Sequence, residues 1–321
     1  MKKILKLIII IFSILIIVVI AGGFIAGNYF FNIALNSKTD KSVILSAEHN
    51  QMPEASPEEL NNAKQYIKSW LDNTGYEDLY VKSFDDLQLH SYSIPNSAQT
   101  NKWVILCHGY GGFGYQMIST GIKFYDMGFN LLIPDARGAG SSEGDYIGMG
   151  WHDRLDVIEW INEIISKDSS AQIILYGISM GGATVMMVSG EELPSNVRAI
   201  VEDCGYSSVW DEFAYQMDGI FGLPSFPVMH FSSAVTKIRA NFWLGESSAV
   251  KQVSKSVTPI LFIHGDADTF VPSYMIDELY DAANCPKGKI VVPGAGHGES
   301  SNILGDKYWE AVEIFVEQYL D

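Results

Sequence analysis

Three cysteines in 321 residues, at positions 107, 204 and 285, are too few and too scattered for a disulfide framework or a paired-thiolate zinc site. Cys107 and Cys204 adjoin apolar strand patterns, so buried thiols are the expected reading. Basic charge is scarce too: 21 Lys and Arg stand against 38 Asp and Glu, a net charge of −17. Several of those lysines fall before residue 42, which leaves the rest of the chain more acidic still. Nucleic-acid binding requires a basic footprint, so it is not expected, and an anionic polymer is a poor substrate for such a surface. Acidity of this kind otherwise serves solubility. The chain has no Gly-x-x-x-x-Gly-Lys-Ser/Thr phosphate loop, and its glycines between 138 and 150 lack the strand-then-helix setting of a dinucleotide fingerprint. Neither a metal nor an organic cofactor is implied, and no internal repeat appears.

Charge is also absent between Lys6 and Lys38. Leu7 to Gly27 is apolar or small throughout, and a helix rising about 1.5 Å per residue over that length crosses a hydrocarbon core of roughly 30 Å. Lys2, Lys3 and Lys6 before it favour an N-terminus held inside, with the remainder exported. Residues 1–36 therefore read as a single-pass membrane anchor, with Phe24, Tyr29, Phe30 and Phe31 at the interface. The alternative is a signal peptide cleaved near Val19-Ile20-Ala21, giving a secreted chain. Residues 37–56 read as a linker, in which polar Gln51 to Ser56 suits a stalk. Residues 57–321 have the length of one α/β domain with an insertion.

That domain opens on Ser56-Pro57-Glu58-Glu59, an N-cap, a first-turn proline and a glutamate three residues after the cap. Leu60, Ala63, Ile67 and Leu71 continue it at helical spacing. Alternation in Leu79–Ser83 and Leu87–Ile94 predicts a hairpin turning at Asp85-Asp86, after which strands and helices alternate. Trp151, Leu155, Ile158, Ile161 and Ile165 mark one crossover helix; Tyr308, Val312, Phe315 and Tyr319 mark the last. The stretch from Tyr206 to Val257 is too long for a simple crossover and is rich in aromatics, so it predicts a helical cap over about 206–257. Trp210, Phe213, Met217 and Phe221 are its candidate pocket residues, although packing onto the sheet would need the same side chains.

Chemistry concentrates on three loops. Gly177-Ile178-Ser179-Met180-Gly181-Gly182 follows the apolar run Ile173 to Tyr176, the pattern of a sharp strand-to-helix elbow that projects a serine hydroxyl above a sheet edge. A serine needs a base to take its proton and a third group to fix that base's tautomer. Downstream, the strand pattern Thr258 to His264 ends at Gly265-Asp266-Ala267-Asp268, and Lys289 to Val292 runs into Pro293-Gly294-Ala295-Gly296-His297. The order Ser, Asp, His, each after a strand, places the three loops at one edge of a parallel sheet.

With His108-Gly109-Tyr110-Gly111-Gly112 after the strand Trp103–Cys107, and Asp135 to Gly144 after Asn130–Pro134, the chain resembles a serine hydrolase of the α/β-hydrolase superfamily over roughly Leu79 to Asp321. It is similar to a membrane-anchored bacterial branch, and to esterases, monoacylglycerol lipases and serine aminopeptidases. The resemblance implies a mostly parallel eight-stranded sheet flanked by helices, with a helical cap and an N-terminal transmembrane helix. It implies Ser179 as nucleophile, His297 as base and Asp268 as acid, with Asp266 as runner-up. The backbone amides of Tyr110 and Met180 are the implied oxyanion donors. His108 and His264, at strand ends, read as structural histidines. Serine rather than aspartate at the elbow argues against dehalogenase or epoxide-hydrolase chemistry. The implied activity is cleavage of a carboxylic ester with a hydrophobic acyl part, through an acyl-enzyme; the alternative is an aminopeptidase-like amide hydrolase gripping an amine through Asp211, Glu212 or Asp218. The expected partners are a small ester or acyl substrate and the membrane; the sequence leaves the oligomeric state open.

Overall fold

The computed structural model describes residues 2–50 and 56–321. Eight strands form one sheet: β1 (Glu77–Lys82), β2 (Gln88–Ile94), β3 (Lys102–Cys107), β4 (Asn130–Pro134), β5 (Gln172–Ile178), β6 (Val197–Asp203), β7 (Ile260–Gly265) and β8 (Lys287–Val292). Their spatial order is β1-β2-β4-β3-β5-β6-β7-β8. β1 and β2 pair antiparallel, β2 meets β4 antiparallel, and every later pairing is parallel. The hairpin turns where expected, with Asp86 at φ 67° and the Ser83 amide donating to the Leu87 carbonyl.

The central strands are apolar at almost every position because both faces of the sheet are covered. Alternate side chains go to opposite sides. Ile105, Ile173, Leu175, Ile200 and Phe262 join one core cluster, while Val104, Leu106, Ile174, Tyr176, Val201 and Ile263 join the other. On the first face lie the helix Asp153–Lys167, through Trp160 and Ile161, and the helix Met180–Val188. On the second lie Pro57–Thr74, through Ile67 and Leu71, Ile118–Asp126, and Asp306–Glu317. The expected capping box is present: the Ser56 hydroxyl accepts from the Glu59 amide at 3.2 Å, and the Ser56 amide donates to the Glu59 carboxylate at 2.8 Å.

Between β6 and β7 the chain forms two cap helices, Val209–Phe221 and Ser225–Ala240, followed by short helical turns at Leu244–Glu246 and Ala249–Val253. Ser208 caps the first, accepting from the Asp211 amide, and Gly222 ends it in the left-handed conformation.

At the N-terminus one continuous helix runs Lys2–Ala34, and Lys3–Ala34 is long and apolar enough to cross a membrane. Two of its four interface aromatics sit elsewhere than expected. Phe24 and Tyr29 are exposed, but Phe31 is buried and Phe30 half-buried, because the last turns pack on the cap rather than standing free. The segment expected as a linker is folded where it is described: Ser42–Leu45 and Glu48–Asn50 are helical turns, and Asn50 is tied to Thr269 by a 3.1 Å hydrogen bond. The stalk expectation at Gln51 to Ser56 falls, apart from Ser56, outside the described residues.

Candidate active site

β5 ends at Ile178 and the next helix begins at Met180, so Ser179 alone makes the turn, at φ 57° and ψ −121°. A non-glycine residue there carries strain of about 1–3 kcal/mol, which the surroundings must hold. The Ser179 amide donates to the Asp203 carbonyl at 2.8 Å. Glycine is required on either side: a Cβ on Gly177 would overlap the Gly181 carbonyl, and one on Gly181 would overlap the carbonyl of Cys107 on β3.

Three strand-end loops converge on this serine. His297 Nε2 lies 2.8 Å from Ser179 Oγ, and His297 Nδ1 lies 2.7 Å from Asp268 Oδ2. All three side chains are buried. The other oxygen of Asp268 accepts from the Phe270 and Val271 amides at 2.8 and 2.9 Å. Burial alone would raise the pKa of this carboxyl, but hydrogen bonds and charge from His264 and His297 outweigh it and bring Asp268 down to about 2. An ionised carboxylate only accepts, so His297 Nδ1 donates to it and Nε2 is left to accept the serine proton. The Phe270 ring stacks on the imidazole at 4.8 Å, which limits its rotation. Asp266, the runner-up acid, is exposed, and its Oδ1 accepts from the Gly294 amide at 2.6 Å in a turn.

The two strand-end histidines stay beside the line. His264 Nε2 sits 3.2 Å from Asp268 Oδ2 and 3.0 Å from the Val271 carbonyl, bracing the loop that carries Asp268. His108 bonds the Gly109 carbonyl through Nδ1 at 2.8 Å and accepts the Ala136 amide on Nε2 at 3.0 Å. Burial lowers its pKa, in keeping with a neutral ring. It thereby pins the loop 108–112 to the loop 135–144 after β4, where Asp135 accepts from the Gly114 and Ser141 amides at 2.7 and 2.8 Å. That loop lies close over the serine, since a Cβ on Gly109 would sit 3.5 Å from Ser179 Cβ. Met180 is the first residue of the helix after the elbow, where N–H groups have no intrahelical acceptor. The hydroxyl of Tyr110 donates to the Ala34 carbonyl of the N-terminal helix at 2.7 Å.

A cavity of about 780 Å³, counted to its open mouth, begins at Ser179. Phe213, Met217 and Phe221 line it as expected residues of the first cap helix, joined by Met229 of the second. Trp210 does not: it lies in the first turn of its helix, edge-on to His230, beside a surface groove with Ser208 and Lys251. Other lining residues were not anticipated. Phe30, Phe31, Ile33 and Ala34 of the N-terminal helix form part of the wall, and Glu212 is the carboxyl of the lining. Burial pushes Glu212 up to about 8; one oxygen accepts from Gln216 at 3.0 Å and the other has no partner among the described residues. Glu202, under the elbow, is likewise pushed up to about 8 by burial, and it accepts from the Gly205 amide at 2.9 Å.

Cys204 places its thiol within 4.8 Å of the Asp268 and His297 ligand atoms. Metal binding there would need a thiolate, whereas burial raises the thiol's pKa and the other two groups are already bonded to each other.

A family model described as the alpha/beta hydrolase fold matches residues 102–223. The uncharacterized protein YqkD of Bacillus subtilis is 24% identical over 75% of this chain and 83% of its own length. The uncharacterized membrane protein YNL320W of Saccharomyces cerevisiae is 26% identical over 75% of this chain and 79% of its own. Among solved structures, the Pyrococcus furiosus esterase Pf2001 superposes with a TM-score of 0.64 at 20% identity, covering 84% of this chain and 96% of that one. Sheet order, elbow and family match together identify the chain as a protein of the alpha/beta hydrolase fold.

Proposed function

We propose that the chain is a serine hydrolase that cleaves a carboxylic ester with an apolar acyl group. The observation that carries this reading is the unbroken line from Ser179 Oγ through His297 to Asp268, at 2.8 and 2.7 Å, opening on an apolar cavity. Ser179 attacks the acyl carbon while His297 takes its proton; Asp268 holds the ring and stabilises the imidazolium. The Tyr110 and Met180 amides receive the oxyanion. Collapse breaks the ester C–O bond, and the alcohol leaves with the proton from His297. Water, deprotonated by the same histidine, then splits the acyl-enzyme, releases the acid and restores the serine. Lysines ahead of the apolar helix support a location on the outer side of a cell membrane. Ser179→Ala should abolish turnover of nitrophenyl esters and labelling by a fluorophosphonate while leaving thermal unfolding unchanged. Retained turnover would remove Ser179 from the mechanism.

One observation favours a second reading. Glu212 brings a buried carboxyl with a free oxygen into the cavity, where it could ionise against the amine of an aminoacyl amide. Under that reading Glu212→Gln loses aminoacyl-naphthylamide cleavage selectively; under the ester reading the native chain prefers acyl esters and the variant keeps them.

A further inference from the structure

The N-terminal helix has two halves with different surroundings. From Ile4 to Ile20 its large apolar side chains are exposed, Ile17 by 64%. From Gly23 onward one face of it is built into the fold. Gly23 and Gly27 lie against Phe231 of the second cap helix so closely that a Cβ on Gly23 would overlap the ring and one on Gly27 would sit 2.7 Å from the Phe231 carbonyl group. Arg239 donates to Asn28 and Asn32 at 2.9 and 2.7 Å, and its guanidinium lies 4.0 Å over the Phe31 ring. The carbonyls at the helix end are held by Tyr110 Oη on Ala34 at 2.7 Å and by Lys41 Nζ on Ile33 at 2.9 Å. Phe31 is 3% exposed and Leu35 1%. A mere tether needs none of this.

The same last turns line the cavity that begins at Ser179. If the exposed half fills a hydrocarbon core of roughly 30 Å, the bilayer ends near Gly23 and the cavity wall at Phe30 starts about 10 Å beyond it. The cavity surface is almost wholly apolar, and its carboxyl, Glu212, is held toward the neutral form by burial. Such a wall suits an acyl chain that leaves one apolar phase for another without crossing bulk water.

Resting on the serine-ester reading above, we infer that the last turns of the N-terminal helix are one wall of the acyl site, and that the substrate is an acyl ester of a bilayer lipid, drawn from the leaflet beside which the helix emerges. The lipid's acyl carbon bonds to Ser179 Oγ as its ester C–O bond breaks. The remaining lipid alcohol takes the proton from His297 and returns to the bilayer, and water releases the fatty acid.

The test uses the full chain in phosphatidylcholine vesicles. With nitrophenyl acetate, octanoate and palmitate, Ala34→Phe should lower kcat/KM for palmitate about tenfold or more relative to acetate, the scale on which apolar pockets discriminate methylenes. Phe30→Ala should move the preferred chain length upward, and it decides the matter should Ala34→Phe also lose acetate turnover. Ile14→Ser, on the exposed half, should leave the palmitate-to-acetate ratio unchanged. Long-chain diacylglycerol in the protein's own vesicles should be cleaved about tenfold faster than the same lipid offered in separate vesicles. An unchanged chain-length ratio in both wall variants, with acetate turnover intact, overturns the wall. Equal rates from the two vesicle populations, or no cleavage from either, overturn the bilayer source. A native chain that hydrolyses no ester and takes no fluorophosphonate at Ser179 overturns the underlying ester reading instead.

Discussion

Asp268 and Asp266 are two residues apart in one loop; the resemblance favours Asp268, and the hydrogen bonds set the two apart physically. Asp268 faces His297, two backbone amides and His264, whereas Asp266 closes an exposed turn. Asp268→Asn should reduce kcat by about 10³–10⁴-fold through loss of the productive tautomer. Asp266→Asn keeps an oxygen for the Gly294 amide and should stay within about twofold. Reversal of that ranking in nitrophenyl ester kinetics would exchange the two roles. Glu212 makes a second prediction at this scale. Its folded-state pKa is raised from the ordinary 4.5 to about 8, so between those values the folded chain keeps a proton that the unfolded chain has released. Its contribution is fully present below about pH 4.5 and is lost as pH rises toward 8, at up to about 1.4 kcal/mol per pH unit. Glu212→Gln removes that loss, so its melting temperature relative to the native chain should climb from about pH 5 to about pH 8. A pH-independent difference would show that the carboxyl is not held neutral. Neither the burial of Glu212 nor its place in the cavity was legible from sequence, where it sits among Asp211 and Asp218 on an ordinary amphipathic helix.

The elements were more legible, for a reason that the elbow illustrates. Ser179 is flanked by glycines because the turn presses Gly177 on Gly181 and Gly181 on the Cys107 carbonyl, so the motif is a steric record of three backbone segments meeting. Gly181→Ala meets backbone rather than a yielding side chain, and it should cost about 3 kcal/mol in denaturant unfolding together with most of the activity. A neutral effect would mean that the elbow has more room than this geometry allows. Strands were readable from their apolar runs and the first helix from its capping box. The pocket side of the cap was only half readable. Trp210, Phe213, Met217 and Phe221 share a helical spacing, yet the spacing says nothing of where along the helix the cavity begins, and Trp210 falls outside it.

For the molecule as a whole, the N-terminal segment is both the membrane-spanning candidate and a piece of the sheet-and-cap body. Deleting residues 1–20 should leave a folded chain that still cleaves short esters, since the face of the helix that carries Gly23, Gly27 and Phe31 stays docked. Deleting residues 1–36 strips Phe31 and Leu35 from the core and one wall from the cavity, and it should lower the melting temperature and ester turnover together. Equal stability and activity of the two truncations would return the segment to the status of a tether. Apolar length read directly as a span, because a bilayer asks only for hydrophobicity over a given distance. Phe30, Phe31 and Ala34 carried no further signal, since a lipid-facing turn and a turn packed against a protein call for the same residue types. By itself the sequence determined the order of strands and helices, the strained serine and the three loops that bear chemistry, all of which local sterics and periodicity write into neighbouring positions. Which carboxyl is buried in the cavity, where along the cap helix that cavity begins, and that the end of the N-terminal helix lines it were decided only by tertiary structure, because those contacts join residues that are distant in the chain and depend on where each face finally lies.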